Sequence, residues 1–217
     1  MQSCCCNLDT ISSILEGKRP LIGHCPGRPG KEAGGMERWK HFKTITKHRH
    51  LVCRYCFRVG LYWQGLTHDL SKYAPEEFFI SAAMYQEGKR SPNEAERENY
   101  GYSRAWMHHK GHNKHHFEYW CDYDPATKKM TPVKMPLIYV CEMFCDRVAA
   151  SKVYMGDSYT DRAPLEYFLR GKPRRDNIHP VTSKLIEKLL TMLAEEGEDR
   201  TFAYIRELLA RSRKRSK

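Results

Sequence analysis

No apolar run in this chain approaches the roughly 20 residues that a membrane-spanning helix requires. Nor does the chain open with the basic start and apolar stretch of a secretion signal, so the expected location is the cytoplasm. That absence bears on the nine cysteines. Outside an oxidising compartment they are not expected to form a disulfide framework. Strand-like alternation is lacking, as are an internal repeat and any haem-binding pattern. These absences remove the membrane, disulfide-scaffold, all-β and repeat classes.

Acidic side chains are outnumbered, 26 against 37 Lys and Arg, which leaves a formal net charge of +11. The excess points toward a polyanion such as nucleic acid. It is unevenly spread. Arg211, Arg213, Lys214, Arg215 and Lys217 all fall in the last seven residues, with no acid among them. A solvated, frayed end accounts for this run, with weak nonspecific RNA or DNA contact as its other use.

What remains is an ordinary globular composition, 41% hydrophobic and 29% charged over 217 residues. That is enough for one domain with its own core. Residues 1–35 stand apart, with six glycines, three prolines and Cys4-Cys5-Cys6. They are expected to be a disordered extension, with translation starting naturally at Met36. Helical patterns then cover about 37–63, 75–85, 94–120 (interrupted near Gly111), 137–155, 164–169, 180–195 and 198–212. A turn-rich connection with room for a small hairpin lies at 122–136, and Gly65 is expected to end the first helix. The fold class is therefore all-α: a helical domain over 36–195, then a C-terminal helix and basic tail over 196–217. Cys53 and Cys56, like Cys141 and Cys145, sit inside apolar helical patterns, where cysteine behaves as a small core residue. A structural zinc site on these four is the competing reading.

Histidine carries the chemistry. Five of the eleven lie in the string MHHKGHNKHH, ending at His116. Trp106, Phe117, Tyr119 and Trp120 flank the string and favour burial, which argues against a merely solvated stretch. His48 falls between Ile45 and Val52 on an apolar helical face, where a lone histidine is more often a hydrogen-bonded core residue. His68-Asp69, in GLTHDLSKY, offers an imidazole and a carboxylate from adjacent positions, and both can converge on one cation at a helix bend. Ser71 and Lys72 follow within reach of a substrate. Asp146 shares a helical face with Tyr139, Glu142, Ala149 and Val153. A buried, unpaired carboxylate there costs several kcal/mol, roughly, so a metal is a better partner than none. A salt-bridged surface aspartate is the plainer account.

The order His48, His68-Asp69, histidine cluster, Asp146, each on a separate expected helix, resembles the HD superfamily of metal-dependent phosphohydrolases. There, His…HisAsp…Asp binds one divalent metal, and extra histidines before the last aspartate build a second position. His48, His68, Asp69 and Asp146 match the four defining positions. HDLSK is similar to the HD[IL]GK form, HHFEY to the HHE segment of two-metal members, and CDRVAA to the helix carrying the last aspartate. The twenty residues from His48 to His68 are fewer than in many members. Residues 36–195 also resemble a family of unknown function in bacterial and phage genomes, marked by GLYWQGLTHDLSKY, GYSRAWMHHKGHNKHHFEYW and KMP.

The resemblance implies an HD-domain-like helical bundle holding one or two divalent ions. Histidine and aspartate donors suit Mn, Fe, Co, Ni or Zn. Helical spacing lets either His109, His112 and His116 or His108, His112 and His115 share a face. The similarity of HHFEY to the two-metal segment favours His109, His115 and His116 as ligands. Lys72 would stabilise charge developing on a phosphate, and His112 would serve as acid or base. The expected partner is a small phosphorylated substrate, a phosphomonoester or phosphodiester such as a nucleotide. Two other readings remain open. One is a di-iron oxygenase of the same superfamily. The other is a non-enzymatic basic binding protein with a structural metal, against which the excess of ligands argues. Oligomeric state is not legible.

Overall fold

The computed structural model describes residues 34–86, 91–171 and 177–215, all within the compact unit Ala33–Lys217. The expected extension at 1–35 lies almost wholly outside the described residues, as does part of the loop expected at 88–93. The fold is all-α. Helix α1 (Gly35–Arg58) buries His41, Ile45, His48, Val52, Tyr55 and Cys56, a run of three- and four-residue steps that lines one face. It ends short of 63. Gly60 takes φ +79, Gly60 N–H reaches Phe57 O and Leu61 N–H reaches Cys56 O. This pair of bonds is a Schellman closure, and the left-handed position in it favours glycine.

Gly65, expected to break the first helix, instead lies within a separate short helix, α2 (Tyr62–Thr67). A Cβ there would sit 3.0 Å from Cys56 Cβ and 3.2 Å from the Cys53 carbonyl oxygen. The glycine thus permits close packing of α2 on α1. Gly65→Ala is expected to lower stability by about 1 kcal/mol, overpacking outweighing alanine's better helix propensity. The urea midpoint reads this out, and a variant at least as stable as the parent would refute it.

A 3-10 turn over Leu70–Tyr73 leads into α3 (Pro75–Ala83), which has proline in its first turn. The helix expected over 94–120 is two helices, not one broken at Gly111. Helix α4 (Pro92–Tyr100) stops at Gly101, where φ is +78, and α5 (Arg104–His112) follows. The buried Glu96 carboxylate caps α5, accepting from Ser103 Oγ at 2.6 Å and Arg104 N at 2.9 Å. The chain leaves α5 at Asn113, so the later histidines of the cluster are not helical. A hairpin follows, β1 (Cys121–Asp124) against β2 (Lys129–Pro132), with Cys121 opposite Pro132.

Helix α6 (Leu137–Met155) is the centre of the fold. Val140 to Cys145 are all buried, six in succession, as only a helix surrounded by others allows. It is packed by α1, by α7 (Ala163–Gly171) and by α8 (Pro180–Arg215), which bends at Gly197 where φ is +76. Ile186, Leu189, Leu193, Phe202 and Ile205 of α8 close the core. Cys56, Cys141 and Cys145 are completely buried in it as free thiols. Burial, with Cys56 nearby, pushes the Cys141 thiol up to about 12, and among the described residues no cysteine belongs to a group of donors close enough to share a metal ion.

Glu198, just past the bend, ties three helices together. It accepts from Tyr55 Oη and Arg58 Nη1, each at 3.0 Å, and pairs with Lys152. The C-terminal end is not wholly frayed. Helix continues to Arg215, and Arg213 Nη2 donates to Gly60 O at 2.8 Å. Among the described residues, no helix is long and apolar enough to cross a membrane.

Candidate metal centre

Four segments, distant in sequence, deliver the site. Helix α1 presents His48 from its buried face. The end of α2 presents His68 and Asp69. Two consecutive residues of a regular helix would point about 100° apart. Here His68 is extended (φ −51, ψ 126) and Asp69 is left-handed (φ 53, ψ 28), so both side chains turn inward and both are 1% exposed. Aspartate is among the few residues that tolerate this conformation. Helix α5 and the turn after it bring His109, His115 and His116, and α6 brings Asp146.

Two donor groups share Asp69, and a third, of His68, His115 and Glu142, takes one histidine from each of them. In the first, one donor atom from each of His48, His68, Asp69 and Asp146 lies within 4.8 Å of every other; in the second the same holds for Asp69, His109, His115 and His116. Asp69 Oδ2 faces the first group, 3.4 Å from His68 Nε2 and 3.8 Å from His48 Nε2. Its Oδ1 faces the second, 3.4 Å from both His109 Nε2 and His115 Nε2. Asp146 Oδ1 completes the first group, 3.0 Å from His48 Nε2 and 3.6 Å from His68 Nε2. His116 Nε2 sits 2.8 Å from His109 Nε2 in the second.

Whether these residues suit a cation can be judged from their hydrogen bonds. His68 Nε2, His115 Nε2 and Asp69 Oδ1 are buried and have no hydrogen-bond partner, and His48 Nε2 has only the Asp146 carboxylate at 3.0 Å, off hydrogen-bond geometry. Buried polar atoms are nearly always satisfied, so converging orphans of this kind fit a shared cation. The far sides of three rings, His68, His115 and His109, each face a carboxylate. Glu142 Oε1 lies 2.9 Å from His68 Nδ1 and 3.3 Å from His115 Nδ1, and Glu77 Oε2 lies 2.9 Å from His109 Nδ1. A carboxylate on Nδ1 turns the Nε2 lone pair toward the centre. These buried groups can hold a metal ion.

The electrostatics agree. Burial alone would raise the Asp69 carboxyl, but His68, Lys72, His109 and His115 outweigh it and hold it well below the carboxylate range. Asp146 is likewise held low against burial, by His48, His68 and His115. Burial works to lower His68, yet Asp69, Asp146 and Glu142 together raise it to about 10. The negative field that keeps a proton on His68 also attracts a cation. At His48 burial prevails and the imidazole is pushed toward its neutral, ligating form. The same happens more strongly at His116, where His115 and His109 reinforce burial.

Residues 37–192, well over half of the chain, match a family of unknown function, DUF5662. The chain belongs to that family. No curated protein and no solved structure gives a match.

All seven residues expected as ligands come together in the two groups that share Asp69. His112 does not. It is exposed at the last turn of α5, with Nδ1 2.8 Å from His108 O and its ring stacked on His108. It belongs to none of the donor groups, and its exposed ring supplies no geometric support for the acid or base role expected of it. Lys72 lies at the edge, with 32% of its side chain exposed and Nζ 2.7 Å from Asp69 Oδ2. Burial would lower Lys72, but Asp69 and Asp146 raise it above its ordinary value, so it stays a cation. Two carboxylates of the site, Glu77 and Glu142, are not evident as site residues from the sequence. Glu77 reads in the sequence as a first-turn helix acid. Glu142 had one signal, a carboxylate one turn before Asp146 on an otherwise apolar face.

Proposed function

We propose that this chain is a metal-dependent phosphohydrolase of HD type, acting on a phosphoester such as a nucleotide. The observation that carries the reading is Asp69, which turns one carboxylate oxygen toward each of two donor groups and has a lysine cation beside it. The order His48, His68-Asp69, His109-His115-His116, Asp146 supports it by resemblance to the HD superfamily. His48, His68, Asp69 and Asp146 would hold one divalent ion; Asp69, His109, His115 and His116 would hold a second. Mn, Fe, Co, Ni or Zn suits such donors. When bound, a metal of this kind lowers the pKa of its water and polarises a phosphoryl oxygen.

The chain's own residues do the rest. Glu142 and Glu77 hold three imidazoles with Nε2 turned inward. Lys72, with about a third of its side chain exposed, is placed to meet an incoming phosphate and to stabilise charge that grows on it. Burial of most of the donor atoms lowers the local dielectric, which strengthens each charge interaction there.

Hydrolysis needs neither oxygen nor a redox change. The full chain, loaded with Mn, Co or Ni, is therefore expected to cleave nitrophenyl phosphate or a nucleotide under anaerobic conditions. Turnover that requires both iron and oxygen, with these phosphoesters untouched, would replace this reading with the di-iron oxygenase. Metal bound with no turnover of either kind would leave a structural metal in a binding protein.

A further inference from the structure

Glu142 stands out among the buried acids. It lies on α6 one turn before Asp146, is 5% exposed, and is surrounded by core residues. Its Oε1 meets two imidazoles, His68 Nδ1 at 2.9 Å and His115 Nδ1 at 3.3 Å. His68 belongs to the first donor group and His115 to the second. The two rings lie against each other, with centroids 4.3 Å apart and planes at 35°. Both have Nε2 buried without a hydrogen-bond partner.

Resting on the metal-centre reading above, we propose that Glu142 is a positioning residue that couples the two metal positions, fixing one ligand of each through a single carboxylate oxygen. A carboxylate accepts, so each ring must present its Nδ1 proton to it and leave Nε2 free as a donor to metal. Because one oxygen serves both rings, any shift of the Glu142 side chain moves a ligand of each position at once. A shift caused at one position is felt at the other in the same way, which gives the positions a shared occupancy. Glu77 provides the contrast. It touches His109 Nδ1 at 2.9 Å and His108 Nδ1 at 2.7 Å, and His108 belongs to neither group. Glu77 therefore orients a ligand of the second position alone.

The test is a Co2+ titration of the metal-stripped full chain, followed by calorimetry and visible absorption, with bound metal counted after gel filtration. The parent is expected to take up two ions. Glu142→Leu keeps the volume and suits the apolar surroundings of α6. It should weaken both positions by about 10- to 100-fold, the usual cost of losing an outer partner of a metal-bound histidine. Glu142→Gln should recover most of the affinity at both, since its amide oxygen still accepts from an imidazole N–H. Glu77→Ala should weaken one position only.

Should Glu142→Leu fail to fold, the parent alone decides the matter. Nitrogen-15 imidazole spectra of the Zn2+-loaded chain should show His68 and His115 both protonated at Nδ1. A proton on Nε2 of either would overturn the proposal. So would a Glu142→Leu chain with either affinity unchanged, a Glu77→Ala chain weakened equally at both positions, or a parent that takes up a single ion. A parent that binds no Co2+ at all would overturn the metal-centre reading itself. Two ions bound in the parent, with Glu142→Leu unaffected, would remove only the coupling.

Discussion

Asp69→Asn is expected to leave the chain folded and nearly free of metal. Asparagine tolerates the left-handed backbone that residue 69 adopts (φ 53), so the turn that aims His68 inward survives. What is lost is the anionic donor common to both groups, whose Oδ2 and Oδ1 lie 3.4 Å from His68 Nε2 and His115 Nε2 respectively. Metal affinity should fall at least about 100-fold at both positions, more than for an outer partner of a ligand. Hydrolysis should fall with it. Asp69→Ala should do the same with an added loss of stability, since alanine is strained at positive φ. His68→Ala should mainly empty the first position. The measurement is metal content after gel filtration, with circular dichroism to confirm folding. His112→Ala, at an exposed position, is the control expected to change nothing. Full metal content in Asp69→Asn would sink the assignment.

Lys72→Ala has the second large expected effect, and of a different kind. Lys72 Nζ lies 2.7 Å from Asp69 Oδ2 but is no donor to a cation, being itself held positive by Asp69 and Asp146. Removing it takes away a charge that repels a metal and attracts a phosphate. Metal content should stay the same or rise. Phosphoester turnover should fall about 100- to 1,000-fold, the range found when a preorganised donor to developing oxyanion charge is removed. Metal lost together with turnover would show that Lys72 acts through Asp69, and unchanged turnover would show that no phosphate meets it.

The two variants bear on different layers of what could be read beforehand. His48 was legible from the step pattern of α1 because a buried helical face advertises itself through its apolar neighbours Ile45 and Val52. The pair His68-Asp69 was legible as a donor pair, but nothing local revealed the positive φ that makes the two converge. The end of the first helix differs from the sequence pattern for a related reason. Gly65 looked like a helix breaker, yet it is the point where α2 packs closely on Cys53 and Cys56. The break belongs to Gly60, whose left-handed closure of α1 is a backbone property that composition does not distinguish from close packing.

The histidine string shows the limit most clearly. On an uninterrupted helix, His109, His112 and His116 would share a face, and His112 would have been a good ligand. The chain instead leaves α5 at Asn113. His115 and His116 are then placed by a turn, and His112 stays on the outer side of the last helical turn. The roles of Glu77 and Glu142 are not legible in the sequence for another reason. Their role depends on which imidazoles lie across from them, 32 residues away for Glu77 and His109 and 74 for Glu142 and His68.

Read alone, the amino-acid order was sufficient for the all-α class, for the helices that carry His48 and Asp146, and for the inventory of donors. Those follow from periodicity and side-chain chemistry, which are local. The selection among the donors was not local. It required α1, the turn at Asp69, the end of α5 and the central α6 to meet. That meeting is set by how apolar faces pack around α6, from Val52 and Cys56 to Phe144, Cys145 and Leu189. Packing decides which lone pairs end up buried together without a hydrogen-bond partner, and such buried, converging atoms are what separate a metal centre from a list of histidines.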